Sequence, residues 1–314
     1  MPEKRFMGIK DLSEYLQNIF CCPACHGDLQ VQDVNGFKCD KCDRNFTVIN
    51  GIPDFRFFED TESFDAKQAI YEADLHDKEA MSDYEERVIL VWGQKTKLIA
   101  HEWTREASGK ILDFGCGTGQ ISRVLTKHHS PIFAFDISSD SISKNVAENN
   151  VIGMLANAFH LPFRSDCFDA VCINGVLHHI VNYPLVIKEI SRITKGKVFI
   201  SEECPAKYHI SRVRHGLTFS VIMNRIVREY VKFMQKTSEK KTYFGGSKFE
   251  KSIDPQELMS CLKQNGFNDI SCKFWTNLDY SARYGLIKNL LTRLLVSKQG
   301  GTHFDIRAFK KGRG

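Results

Sequence analysis

Four cysteines stand in two pairs, Cys22-Pro-Ala-Cys25 and Cys39-Asp-Lys-Cys42, with thirteen residues between them. Each C-x-x-C turn brings two thiolates to one side of a loop, and an intervening hairpin lets both turns converge on one tetrahedral Zn2+. A redox dithiol is the competing reading, and the doubled motif favours metal. Closed coordination by four thiolates leaves no open position, so such a zinc serves folding, docking or substrate presentation. Cys21 lies one residue too far from Cys25 for the usual knuckle and is read as the spare thiol.

A second constellation begins at Ile111-Leu-Asp113-Phe-Gly115-Cys-Gly117-Thr-Gly119. An acidic residue and three alternate glycines sit where an apolar run ends and a helical pattern begins. The chain must bend sharply there and admit a ligand to its backbone, and glycine tolerates both demands. Dinucleotide-binding loops space their glycines G-x-G-x-x-G, whereas here the third comes one residue early. Seventeen positions after Gly119, Phe135-Asp136-Ile137-Ser138 closes the next apolar run. A carboxylate there offers two acceptor oxygens, which suits a pair of adjacent hydroxyls. Further on come Asn157-Ala158-Phe-His-Leu-Pro-Phe163, Asp166-Cys-Phe-Asp169, and Asn174-Gly-Val-Leu-His178-His179.

Taken in order, these segments resemble class I S-adenosylmethionine (SAM) dependent methyltransferases over roughly residues 109 to 205. The match is with the branch of quinone and small-molecule enzymes, the methyltransferase type 11 or UbiE-like group. The resemblance implies cofactor contacts at Asp113, Gly115, Gly117, Gly119, Asp136, Ile137, Asn157, Ala158 and Asn174, with Asp136 on the ribose hydroxyls and Asn157 beside the adenine. Most members carry aspartate where this chain has Asn157, and the amide oxygen can still accept from the adenine amino group. The Asn/Asp-Pro-Pro-Tyr/Phe signature of adenine and glutamine N-methyltransferases is missing, which disfavours those targets. His178 and His179 are the candidate general bases, since imidazole titrates near neutrality. The competing reading makes them strand caps, and adjacent side chains are expected to point apart, so at most one faces substrate. Phe46-Thr-Val-Ile-Asn-Gly51-Ile-Pro53 resembles the end of a zinc ribbon of the Trm112 type.

The elements that must position these residues are legible as an alternation. Apolar runs at Ile111-Leu112, 132–135, 151–155, 168–173 and 198–200 alternate with helical patterns, and 270–275 with 303–309 add two more. The expected fold is therefore α/β: a Rossmann-like, seven-stranded, mainly parallel sheet behind a small N-terminal zinc ribbon. The ribbon spans 1–58, with a helix from Asp11 to Phe20, short strands at 29–31 and 46–48, and Gly51-Ile-Pro53 closing the module. Connecting helices fill 59–108, with Val88, Leu90, Val91, Leu98, Ile99 and Trp103 on their apolar side. The transferase domain covers 109–314, including a leucine-rich helix over 286–295.

Residues 205–251 interrupt the rhythm and carry eleven Lys/Arg against three Asp/Glu, in a chain of 314 residues whose formal net charge is +5. Between 219 and 236 the spacing predicts a basic amphipathic helix: a surface helix, a lid on an apolar substrate, a foot on an anionic membrane surface, or a contact to RNA phosphates. The charged start, Met-Pro-Glu-Lys-Arg, lacks a secretory apolar run, and no run suffices for a membrane span. A cytoplasmic chain is expected.

Three functions compete on these residues: methylation of oxygen or carbon on a small-molecule or lipid-like acceptor, methylation of an rRNA or tRNA base with the ribbon recognising RNA, and SAM binding by a partner protein without chemistry. The histidine pair favours the first, the basic stretch the second. Intact Asp113, Gly115, Gly117 and Asp136 speak against the third.

Overall fold

A computed structural model describes residues 15–33, 36–80, 95–205, 247–275 and 303–310. Its centre is a run of strands whose residues are apolar on both faces: β5 (Ile111–Phe114) and β6 (Ile132–Asp136) are buried at every position. Such runs belong to parallel strands covered on both sides by helices. β7 (Val151–Leu155), β8 (Phe168–Asn174) and β9 (Thr194–Glu203) complete the parallel set, with Asp113 level with Ala134 on one side and Cys172 on the other. β11 (His303–Lys310) then runs antiparallel between β9 and β10 (Phe267–Trp275). The order β7-β6-β5-β8-β9-β11-β10 contains all seven expected strands. It reverses direction at β5, and crevices that take ligands form at the carboxyl ends of strands around such a reversal.

The ribbon is not a separate sheet. Its strands β1 (Leu29–Asp33), β2 (Gly36–Cys39), β3 (Asn45–Ile49) and β4 (Ile52–Asp54) form a meander. β4 lies parallel to β7 at Asp54 and Leu155, which makes one eleven-stranded sheet. Of Gly51-Ile-Pro53, expected to close the module, Ile52 and Pro53 lie in β4, and Asn50-Gly51 before them form the turn, both at positive φ, the backbone that a two-residue hairpin requires. Phe20, Phe37, Phe46 and Phe55 from the ribbon share one core with Phe133 and Phe163 of the larger unit.

Helices close the layers. α1 (Phe64–Ala80) and α2 (95–104) precede β5, and Trp103 of α2 is fully buried with its indole N–H donating to Asp305 at 2.9 Å. Leu98, expected on the apolar face, is 48% exposed instead, because Ile99 and Trp103 carry the contact with the sheet. α3 (Ser122–Leu125) is a single turn after the glycine loop. α4 (Ser139–Glu148) is capped by Ser138, α5 (Tyr183–Ile193) buries Val186, Ile187, Ile190 and Ile193, and α6 (Pro255–Gln264) starts on an Asp254 cap. Of the helix expected from Asp11 to Phe20, the described part is helical at 15–16 and turns through 17–19, with Ile19 N–H donating to Tyr15 C=O. Val88, Leu90, Val91, the basic helix over 219–236 and the leucine-rich stretch over 286–295 lie outside the described residues. Among the described residues no helix is long and apolar enough to cross a membrane.

Candidate functional site

A cavity of about 780 Å3 opens where β5, β6, β8 and β9 end. The glycine loop forms its floor. Gly115, Gly117 and Gly119 all have positive φ, at 60°, 50° and 90°. A methyl group at Gly115 would strike Val176 at 2.8 Å, while one at Gly117 would meet nothing within 4 Å. Gly117 therefore presents bare backbone to open space, the arrangement that a closely held ligand needs. Gly119, expected among the cofactor residues, does not border the cavity: it sits behind the loop, where Asn145 of α4 and Asn149 just beyond it leave no room for a side chain.

Two acids hold the loop. Asp113 is buried, accepts from the Ser122 hydroxyl at 2.6 Å, and Ser122 in turn accepts from the Asn145 amide at 3.0 Å. Burial lifts its carboxyl to about 7, against the pull of the Ser122 hydroxyl and amide. Asp136, at the end of β6, accepts from Gly117 N–H at 2.7 Å on one oxygen and Ser138 N–H at 3.0 Å on the other. Each oxygen keeps a lone pair for a further donor.

Asn157 uses both ends of its amide. Its Nδ2 donates to the carbonyl of Phe57 at 3.0 Å, and its oxygen accepts from Phe159 N–H at 3.2 Å. A carboxylate would set two acceptors against each other at Phe57, in the segment leading out of the ribbon. Arg56, paired with Asp54 at 2.6 Å, reaches the carbonyl of Ile137 at 3.4 Å from that same segment. The ribbon's exit is thus fastened to the wall of the cavity at two points.

At the opposite end, Leu177–His179 forms a 3-10 turn. Successive side chains there are about 120° apart rather than opposed. Both His178 and His179 consequently border the cavity, with ring centroids 4.1 Å apart, and the expectation that they diverge does not hold. His178 Nδ1 lies 2.7 Å from Glu202, a fully buried carboxylate on β9 that also accepts from Val176 N–H and Leu177 N–H at 2.9 and 2.7 Å. Burial lowers the His178 imidazole, but the Glu202 charge and hydrogen bond prevail and its pKa ends above the ordinary value. His179 ends below it, lowered by burial and by the His178 charge.

Asp113, Gly115, Gly117, Asp136, Ile137, Ala158, Asn157, Asn174, His178 and His179 therefore meet at one cavity. Unforeseen in the sequence were Glu202 and the α1 residues Gln68, Glu72, His76 and Glu79, which also line the cavity. The only local signals were two acids ending an apolar strand at Ile200-Ser-Glu202-Glu203 and the four-residue spacing of Glu72 and His76 on one helix face.

In the ribbon, the four thiols also converge. Cys22 and Cys42 sulfurs are 3.7 Å apart, those of Cys25 and Cys39 are 3.5 Å apart, and all four lie within 4.8 Å of one another. Gly27 is confined beneath them, since a methyl group there would press on Lys41 at 2.7 Å and on the Cys39 sulfur at 3.2 Å. Cys21 stands outside the cluster, as expected of the spare.

Residues 112–200 match the family model described as a methyltransferase domain. A demethylmenaquinone methyltransferase of Staphylococcus haemolyticus is 26% identical over 180 residues, 54% of this chain and 73% of that one. Among solved structures, a SAM-dependent methyltransferase from Thermotoga maritima, described as a possible histamine N-methyltransferase, superposes with a TM-score of 0.50 at 18% identity, covering 76% of this chain and 99% of its own. A chain from the complex between the Haloferax volcanii Trm112 methyltransferase activator and the putative methyltransferase also reaches 0.50, at 13% identity over 75% of this chain and 97% of its own. The two structural likenesses establish the fold.

Proposed function

From its SAM-dependent methyltransferase domain, we propose that this enzyme methylates an oxygen or an acidic carbon of a small-molecule or lipid-like acceptor, held between the glycine loop and the histidine turn. The observation that carries the reading is the buried Glu202–His178 pair in the wall of the cavity that Asp136 also lines. Bound SAM supplies an activated methyl group on a sulfonium, so no covalent enzyme intermediate is needed. Gly117 offers the cofactor its bare backbone, Asp136 accepts from the ribose hydroxyls, and Asn157 with Ala158 flanks the adenine. Glu202 fixes the His178 ring through Nδ1, which leaves Nε2 to take the proton that the acceptor loses as its oxygen or carbon bonds to the methyl group. The walls exclude water and align donor with acceptor, which general experience credits with much of the rate in such transfers.

The acceptor class draws support from the relatives named as demethylmenaquinone methyltransferases. Incubation of the purified chain with methyl-labelled SAM and, separately, a quinone-containing lipid extract, a polar metabolite extract and total RNA tests it. Label in the lipid or metabolite fraction is expected. Label in RNA alone overturns the proposed acceptor, and label nowhere overturns catalysis. In the fraction that takes label, His178→Ala is expected to slow transfer by a factor of about 100 to 10,000, the usual worth of a positioned general base, while SAM affinity stays within a few-fold. Unchanged transfer by that variant assigns the histidine a structural role.

Four thiols in this arrangement fit zinc. Zn–S bonds of about 2.3 Å in a tetrahedron give sulfur–sulfur edges of about 3.8 Å, and the observed separations of 3.7 and 3.5 Å lie close to that. Cys22, Cys25, Cys39 and Cys42 would hold a structural Zn2+ that fixes the β1–β2 hairpin.

A further inference from the structure

Three further side chains meet at the same cavity. Glu72 and His76 lie one turn apart on α1, and His179 faces them from the 3-10 turn. Glu72 is 95% buried, since only 5% of it is exposed, yet its Oε2 makes no hydrogen bond among the described residues, and neither does His179 Nδ1. An unsatisfied buried carboxylate oxygen costs several times what a made hydrogen bond returns, so a partner for it is expected.

The geometry points to Glu72, His76 and His179 as the ligands of a divalent cation of the first transition row or zinc, with open positions facing the cavity. Glu72 Oε2 lies 3.4 Å from His179 Nδ1 and 3.6 Å from His76 Nε2, and a ligand atom from each residue falls within 4.8 Å of the others. Metal bonds of about 2.1 Å to nitrogen and oxygen set at tetrahedral angles give ligand–ligand edges of about 3.4 Å, so both pairs have the required length. The surrounding groups are arranged as outer-shell partners of a metal site. His76 Nδ1 is 2.9 Å from the Glu79 carboxylate, which would fix the tautomer that aims Nε2 at the cation, and the second oxygen of Glu72 accepts from the Ser247 hydroxyl. Two imidazoles and one carboxylate leave room for exogenous ligands, unlike the closed thiolate cluster of the ribbon. The cation site stands on its own ligands; its role, drawing an acceptor oxygen toward the methyl donor and favouring its deprotonation, rests on the transfer reading above.

Co2+ titrated into the full chain carrying a single equivalent of zinc, the amount the four ribbon thiolates take, is the probe. One equivalent beyond the ribbon zinc is expected, with the weak d–d absorption of nitrogen and oxygen coordination and no thiolate charge-transfer band. Glu72→Gln and His76→Gln are each expected to weaken that binding at least about 10-fold, and Glu79→Gln by about 10- to 100-fold, the range typical of outer-shell partners. Circular dichroism and binding of S-adenosylhomocysteine confirm that each variant is folded. Absence of d–d absorption in the wild type, or equal Co2+ uptake by the folded Glu72→Gln and His76→Gln variants, overturns the site. Wild-type chain that binds S-adenosylhomocysteine but no Co2+ refutes the cation alone, whereas Co2+ uptake without label transfer refutes the acceptor reading and leaves the cation in place.

Discussion

Asp136→Ala is expected to weaken SAM binding by at least about 100-fold, measured by equilibrium titration. The carboxylate does two jobs that converge on one ligand. It accepts from Gly117 N–H and Ser138 N–H, which sets the glycine loop against the end of β6, and it retains lone pairs toward the cavity. Hydrogen bonds to charged groups contribute about 1.5 to 3 kcal/mol each, so losing two from the ribose alone amounts to about 3 kcal/mol or more, a factor above 100. Asp136→Asn separates the effects: it keeps the shape and one acceptor, loses the charge, and is expected to fall between the wild type and alanine. An alanine variant that is folded and binds SAM within threefold of the wild type removes the ribose assignment.

Stripping the ribbon metal with a strong chelator, or replacing Cys22 or Cys39 with serine, is expected to lower the melting temperature by on the order of 10 °C, because zinc binding at such sites is folding energy. The damage should not stay in the ribbon. Phe55 stacks with Phe20 at 6.0 Å and approaches Phe37 and Phe46 at 5.4 and 5.5 Å, while Phe20 also meets Phe133 and Phe163 of the larger unit. Beyond Phe55, the carbonyl of Phe57 holds Asn157 and Arg56 holds the backbone at Ile137. Metal loss should therefore reduce SAM affinity as well, by about fivefold for each wall contact of about 1 kcal/mol that is lost. A chelated, metal-free chain with the melting temperature and SAM affinity of the untreated one contradicts a structural zinc.

What the sequence disclosed follows from locality. The glycine loop is legible because one tight turn must meet two demands within five residues, and the thiol pairs because two residues of a knuckle share a turn. Both are recorded as spacing. Asp136 is legible at one remove, since a single helix and strand separate it from the loop. Glu202 and His178 are 24 positions apart and Glu72 and His179 more than a hundred, so nothing in their neighbourhoods marks them as partners. The histidines were legible but their shared approach to the cavity was not, because a 3-10 turn rather than a strand or α-helix carries them. Asn157 reads as an amide able to accept from adenine, and its partner, a carbonyl one hundred residues upstream, lies out of sight. The junction of ribbon and sheet was equally hidden: β4 has three residues and meets β7 at a single pair, too short to leave a pattern.

Everything about the reaction depends on the cavity above Gly117 and beside Asp136 receiving the adenosyl group. Calorimetric titration of S-adenosylhomocysteine into the zinc-loaded full chain tests that most directly. One equivalent taken up per chain is the predicted result. A folded, metal-replete chain that takes up none contradicts the account.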